Sequence, residues 1–104
     1  MVVTGLVKIN RLKDCDDVIK GIFNFISEKT NSVEQIGFHA KKNEKLFKAL
    51  TKFQKDDELL EVTGKLFRNE KNFFINVLDI KLGKTKYDLF NHGEDGLGID
   101  LWLS

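Results

Sequence analysis

The side chains of this chain that are best suited to chemistry are aromatic and basic. Phe23, Phe25, Phe38, Phe73 and Phe74 stand in strand-forming stretches, and Lys8, Lys20, Lys41, Lys65, Arg68 and Lys71 are spread among them. Rings beside cations suit a single-stranded nucleic acid. Each base stacks on an aromatic face for roughly 1–3 kcal/mol, and the cations hold phosphates. The competing use of each phenylalanine is the core, and that of each lysine is a solvated surface. The chain has nine phenylalanines and no proline. A chain of 104 residues does not easily bury nine such rings, which leaves some for the outside.

Catalytic sets are missing from the sequence. His39 and His92 are the only histidines and Cys15 the only thiol, so the four clustered N or S ligands of a zinc site do not form. A nucleophile with a histidine beside it is not indicated. Asp14, Asp16 and Asp17 read as a charged turn. Gly93–Gly98 lacks the Lys-Ser/Thr of a phosphate loop. No enzyme activity, cofactor or metal is expected.

The elements that must position these residues are strands and one helix. Val2 to Ile9 is rich in β-branched residues and predicts a strand, with Gly5 marking a bulge or a close backbone approach. Leu12–Asp17 is a polar turn. Ile22–Ile26 is a second strand, followed by the turn Lys29–Ser32. Val33–Ala40 is a third, with Ile36, Phe38 and Ala40 on one face. Leu46, Phe47, Leu50 and Phe53 then change to helical spacing, with Asn43 as N-cap and a stop near Lys55–Asp57. Leu59–Phe67 is a fourth strand, with Leu60, Val62, Gly64 and Leu66 sharing a face. Arg68–Asn72 is a hairpin loop. Phe73–Leu82 is a fifth strand, apolar on both faces, so the buried face is left open. Three strands, a helix and two strands is the order of the five-stranded oligonucleotide/oligosaccharide-binding (OB) barrel, with the helix between the third and fourth strands.

With that order in place, the chain resembles the bacterial single-stranded DNA-binding protein family as a divergent member. The closest stretch is Phe53 to Leu66, an aromatic residue, a charged turn and an apolar strand ending Thr63-Gly64-Lys65-Leu66. Gly5 matches a first-strand glycine, Phe23 and Phe25 a second-strand pair, and Ile36-Gly37-Phe38 the strand before the helix. The resemblance spans about residues 2–82. It departs at Asp57, where the family has glycine; aspartate tolerates a left-handed backbone better than most residues. It departs also in the short 68–72 loop and in the lack of stacking tryptophans, since the only tryptophan is Trp102. The resemblance implies single-stranded DNA binding, or a DNA-replication accessory role beside a polymerase, primase or helicase, and a homo-oligomer is the family habit. The rival is an OB-fold protein-interaction module, or a phage-type inhibitor, that does not bind DNA.

Charge divides the chain. Net charge is +1, and residues 1–82 hold 15 basic and 12 acidic side chains, against two and four in 83–104. The barrel is expected over 1–82 and an acidic extension over 83–104. Glu94, Asp95 and Asp100 accompany an apolar tip in which Ile99, Leu101, Trp102 and Leu103 are candidate partner-binding residues, or fold back as an extra strand. Lys41, Lys42, Lys45, Lys48, Lys52 and Lys55 read as a solvated helix face. One cysteine, no leader-like start and no apolar run long enough to span a bilayer point to a cytoplasmic protein with no membrane partner.

Overall fold

The computed structural model describes residues 1–69 and 72–89. Seven elements follow in order: β1 (Val2–Asp14), β2 (Val18–Ile26), β3 (Val33–Lys41), α1 (Glu44–Lys55), β4 (Leu60–Asn69), β5 (Asn72–Leu82) and β6 (Thr85–Asp88). The sheet order is β3-β2-β1-β4-β5-β6. A short parallel pairing of β3 with β5, from Gly37↔Phe74 to His39↔Asn76, closes the first five strands into a barrel. This is the OB-fold, with its helix between β3 and β4.

Two bulges bend the long strands enough to close it. In β1 the register shifts between Ile9 and Arg11, leaving Asn10 as the extra residue. A bulged residue loses its ladder partner; here Gln54 on α1 donates its Nε2–H to the Asn10 carbonyl at 3.0 Å. The β1 bulge therefore stands at Asn10 and not at Gly5. In β5 the shift falls at Leu78, between the pairs Gly64↔Val77 and Thr63↔Asp79. Before it Ile75 and Val77 face inward; after it Ile80 and Leu82 do. That switch explains why β5 is apolar on both faces in the sequence.

The helix is closed chemically at both ends. The Asn43 side chain accepts the Leu46 N–H at 3.1 Å. At the other end Glu58 N–H bonds to Phe53 C=O and Asp57 N–H to Gln54 C=O, a Schellman stop. Its left-handed residue is Asp57, at φ 54°. Leu46 and Leu50 are fully buried from this helix.

Inside the barrel Phe23 and Phe38 lie face to face, 3.8 Å between ring centroids, among Ile19, Leu60, Val62, Ile75 and Ile80. Gly21 is required beside them: a Cβ there would run into the Arg11 carbonyl and the Phe38 ring. The sheet continues beyond Leu82, because Gly83 takes a left-handed backbone (φ 62°) and turns β6 back onto β5. No helix among the described residues is long and apolar enough to cross a membrane.

Candidate nucleic-acid interface

Strand alternation decides which side chains leave the barrel. With Phe23 and Phe38 inside, their neighbours Ile22, Gly37 and His39 point out. Registers then line up two rows across the outer face. Arg11 pairs with Ile22, Ile22 with Gly37, Gly37 with Phe74 and Phe74 with Phe67. One step along, Lys13 pairs with Lys20, Lys20 with His39, His39 with Asn76 and Asn76 with Lys65. Neither row holds an acidic residue.

The rings of these rows form a ladder. His39 stacks on Phe74 at 5.0 Å between centroids and Phe74 on Phe67 at 5.3 Å. Phe74 and His39 are half-buried and Phe67 is 41% exposed. Gly37, lacking a side chain between Ile22 and Phe74, lowers the wall of an adjoining cleft of about 700 Å³, which Phe25, Ile36 and Phe73 also line. At the end of the β4–β5 arm Phe73 is 51% exposed, and the Arg68 guanidinium lies 5.7 Å from its ring centre. An Arg over a ring leaves both a cation and an aromatic edge for a ligand.

Burial, and secondarily the charge of Lys20, hold the His39 pKa below its ordinary value. The lowered value favours the neutral ring at pH 7, where it stacks on Phe74 as an uncharged face. Protonation at lower pH adds a cation to the face.

The structure redistributes the residues expected from sequence. Phe74, Lys20 and Lys65 join the outer face, and Phe73 and Arg68 stand at its edge. Phe23 and Phe38 do not: they are sealed in the core and present no ring to a base. Phe25 shares their inward parity and is half-buried, lining the open mouth of the barrel. Lys8 lines that mouth too and is ion-paired with Asp57 at 3.0 Å. Lys41 ends β3 beside Val18, one row beyond the ladder. Lys71, Ile99, Leu101, Trp102 and Leu103 lie outside the described residues.

Arg11, Lys13, His39 and Phe67 belong to the face and were not among the expected residues. Their signal was present as parity. If Phe38 and Ala40 face in, His39 faces out; if Gly64 and Leu66 face in, Lys65 and Phe67 face out. Among the described residues no cluster of His, Cys, Asp and Glu could hold a metal ion, and Cys15 is a free thiol. No family model, curated protein or solved structure matches this chain, so its functional reading rests on this face.

Proposed function

We propose that this protein binds single-stranded DNA across the outer face of β1, β2, β3, β5 and β4, as a single-strand DNA-binding or replication-accessory protein. One observation carries the reading: a ladder of three stacked rings, His39, Phe74 and Phe67, stands on the outside of the barrel between cations. A ring ladder half open to water costs hydrophobic stabilisation that burial would have supplied. Bases stacked on it restore that burial, and every base offers a face, so binding is tolerant of sequence. Arg11, Lys13, Lys20 and Lys65 supply phosphate contacts along both sides. The strand face and adjoining loops are also where OB barrels take oligonucleotides.

Fluorescence anisotropy of a labelled 30-mer of single-stranded DNA, titrated at several salt concentrations, tests this. Saturable binding whose log affinity falls linearly with log salt is the expected result, since each phosphate contact releases counterions. An absence of binding at low salt would sink the proposal.

A further inference from the structure

The outer face ends on β1, and the element beyond that strand is α1. β1 pairs with β4 only through Val7 and with β2 from Lys8 onward. From Lys8 to Asp14 one edge of β1 therefore has no strand beside it among the described residues, and α1 runs along that edge. Lys42, just ahead of the helix, is ion-paired with Asp14 at 3.3 Å. Gln54 bonds to the Asn10 carbonyl, and Asp57, just past the helix, pairs with Lys8. Both rows of the outer face reach β1 here, at Arg11 and Lys13. The helix is thus the next surface after the last cations of the face.

The solvent side of α1 is a stripe of one charge. Lys45, Lys48, Lys52 and Lys55 recur at helical spacing on a single face. All four are exposed, opposite the buried Leu46 and Leu50. The stripe is about 15 Å long at the helical rise per residue. None of the four has an ion-pair partner among the described residues. Glu44, the one acid of the helix, stands in its first turn, where it complements the helix dipole. Each lysine of the stripe has a like charge three or four residues away, an arrangement that weakens a helix. Lys52 and Lys55 suit the last turn, but Lys45 in the first turn opposes the dipole. Packing asks for none of them, and a polyanion laid along the stripe turns the repulsion into attraction. We infer that a bound single strand continues from Arg11 and Lys13 over the edge of β1 onto α1, where Lys45, Lys48, Lys52 and Lys55 hold its phosphates. The rings of α1, Phe47 and Phe53, are packed against the core, so this tract grips backbone alone and is blind to sequence. The inference rests on the nucleic-acid reading of the ladder and extends the length of strand that one barrel holds.

Strand length separates the two tracts. One OB barrel takes roughly 4–16 nucleotides, so a labelled thymidine 8-mer and 16-mer are titrated with the full chain by anisotropy at several salt concentrations. The slope of log affinity against log salt should be steeper for the 16-mer, by about 0.7 for each helix lysine that takes a phosphate. K45Q/K48Q/K52Q/K55Q should bring the 16-mer slope down to that of the 8-mer and leave 8-mer affinity as it is. Glutamine forms helix about as well as lysine, and circular dichroism checks that the fold is retained. The milder K48Q/K52Q should remove about half of the slope difference, which keeps the test open if the fourfold variant misfolds. Equal slopes for the two lengths in the wild type, with the 8-mer bound, overturn the inference and leave the ladder standing. A slope difference that survives K45Q/K48Q/K52Q/K55Q overturns it too, because the added phosphates then lie elsewhere. Loss of 8-mer binding in that variant puts the primary site on α1 and overturns both readings. Failure of the wild type to bind either length at low salt does the same.

Discussion

Two ring stacks sit on opposite sides of the barrel wall, and β3 contributes a ring to each. Phe23 and Phe38 stack inside at 3.8 Å, and His39, Phe74 and Phe67 stack outside at 5.0 and 5.3 Å. Phe38 and His39 are adjacent in the chain, yet one ring is a core element and the other part of a surface. The difference lies in strand parity and in what surrounds each stack. Aliphatic side chains close over the inner pair on every side. The outer ladder has lysines and an arginine beside it. A ring becomes available to a ligand by where its strand aims it, not by its residue type.

The sharpest way to break the comparison is to delete one ring from each stack. Phe23→Ala should cost about 3–5 kcal/mol of stability, the usual range for a buried Phe replaced by Ala, because both its transfer energy and the cavity count against the fold. Equilibrium urea unfolding measures it. Phe74→Ala should lose less stability and instead cost about 1–3 kcal/mol of affinity for single-stranded DNA. If Phe74→Ala unfolds the barrel as Phe23→Ala does, or leaves DNA affinity untouched, the two stacks are not different in kind.

The cations sharpen the comparison next. Lys20→Gln and Lys13→Gln remove charge from the outer face and touch nothing in the core. Each should lower the slope of log affinity against log salt by about 0.7, the value for one phosphate contact on a single strand. Lys8→Gln, on the mouth side and already paired with Asp57, should leave the slope as it is. Salt titrations of the three variants in parallel decide between a face that holds phosphates and a generally basic surface.

Much of the fold is legible because its determinants are local. Asn43 declares the helix start with a side-chain acceptor, and Asp57 takes the left-handed stop usually given to glycine. Leu60, Val62, Gly64 and Leu66 show their shared face by alternation alone. The bulges are not local. A bulge at Leu78 turns later residues of β5 to the opposite face, and it depends on the partner strand β4. The site is harder still to read. Arg11, Ile22, Gly37, Phe74 and Phe67 come from five strands and meet only through registers that sequence spacing does not specify. Phe23 and Phe38 suit stacking by type, and the core holds them because strand parity aims both rings inward.

His39 gives the smallest effect and the most discriminating one, because its two consequences run in opposite directions. Burial, with Lys20 nearby, lowers its pKa in the folded chain, while the unfolded chain titrates near the ordinary value of about 6.5. Below that value the unfolded state binds more protons than the folded one, so the stability His39 contributes as a neutral ring is present above it and is lost as pH falls through the lowered folded value. Phosphate beside the ring favours the charged form. DNA affinity should therefore rise over the same acid range, with a salt slope steeper by about 0.7 for one added contact. His39→Phe keeps a ring in the ladder and removes the titration. It should flatten both its pH terms while leaving binding at pH 8 close to wild type. Parallel urea and anisotropy titrations between pH 5 and pH 8 provide the measurement. Stability and affinity falling together on acidification, in the wild type but not in His39→Phe, would mean that His39 serves the fold and not the ligand.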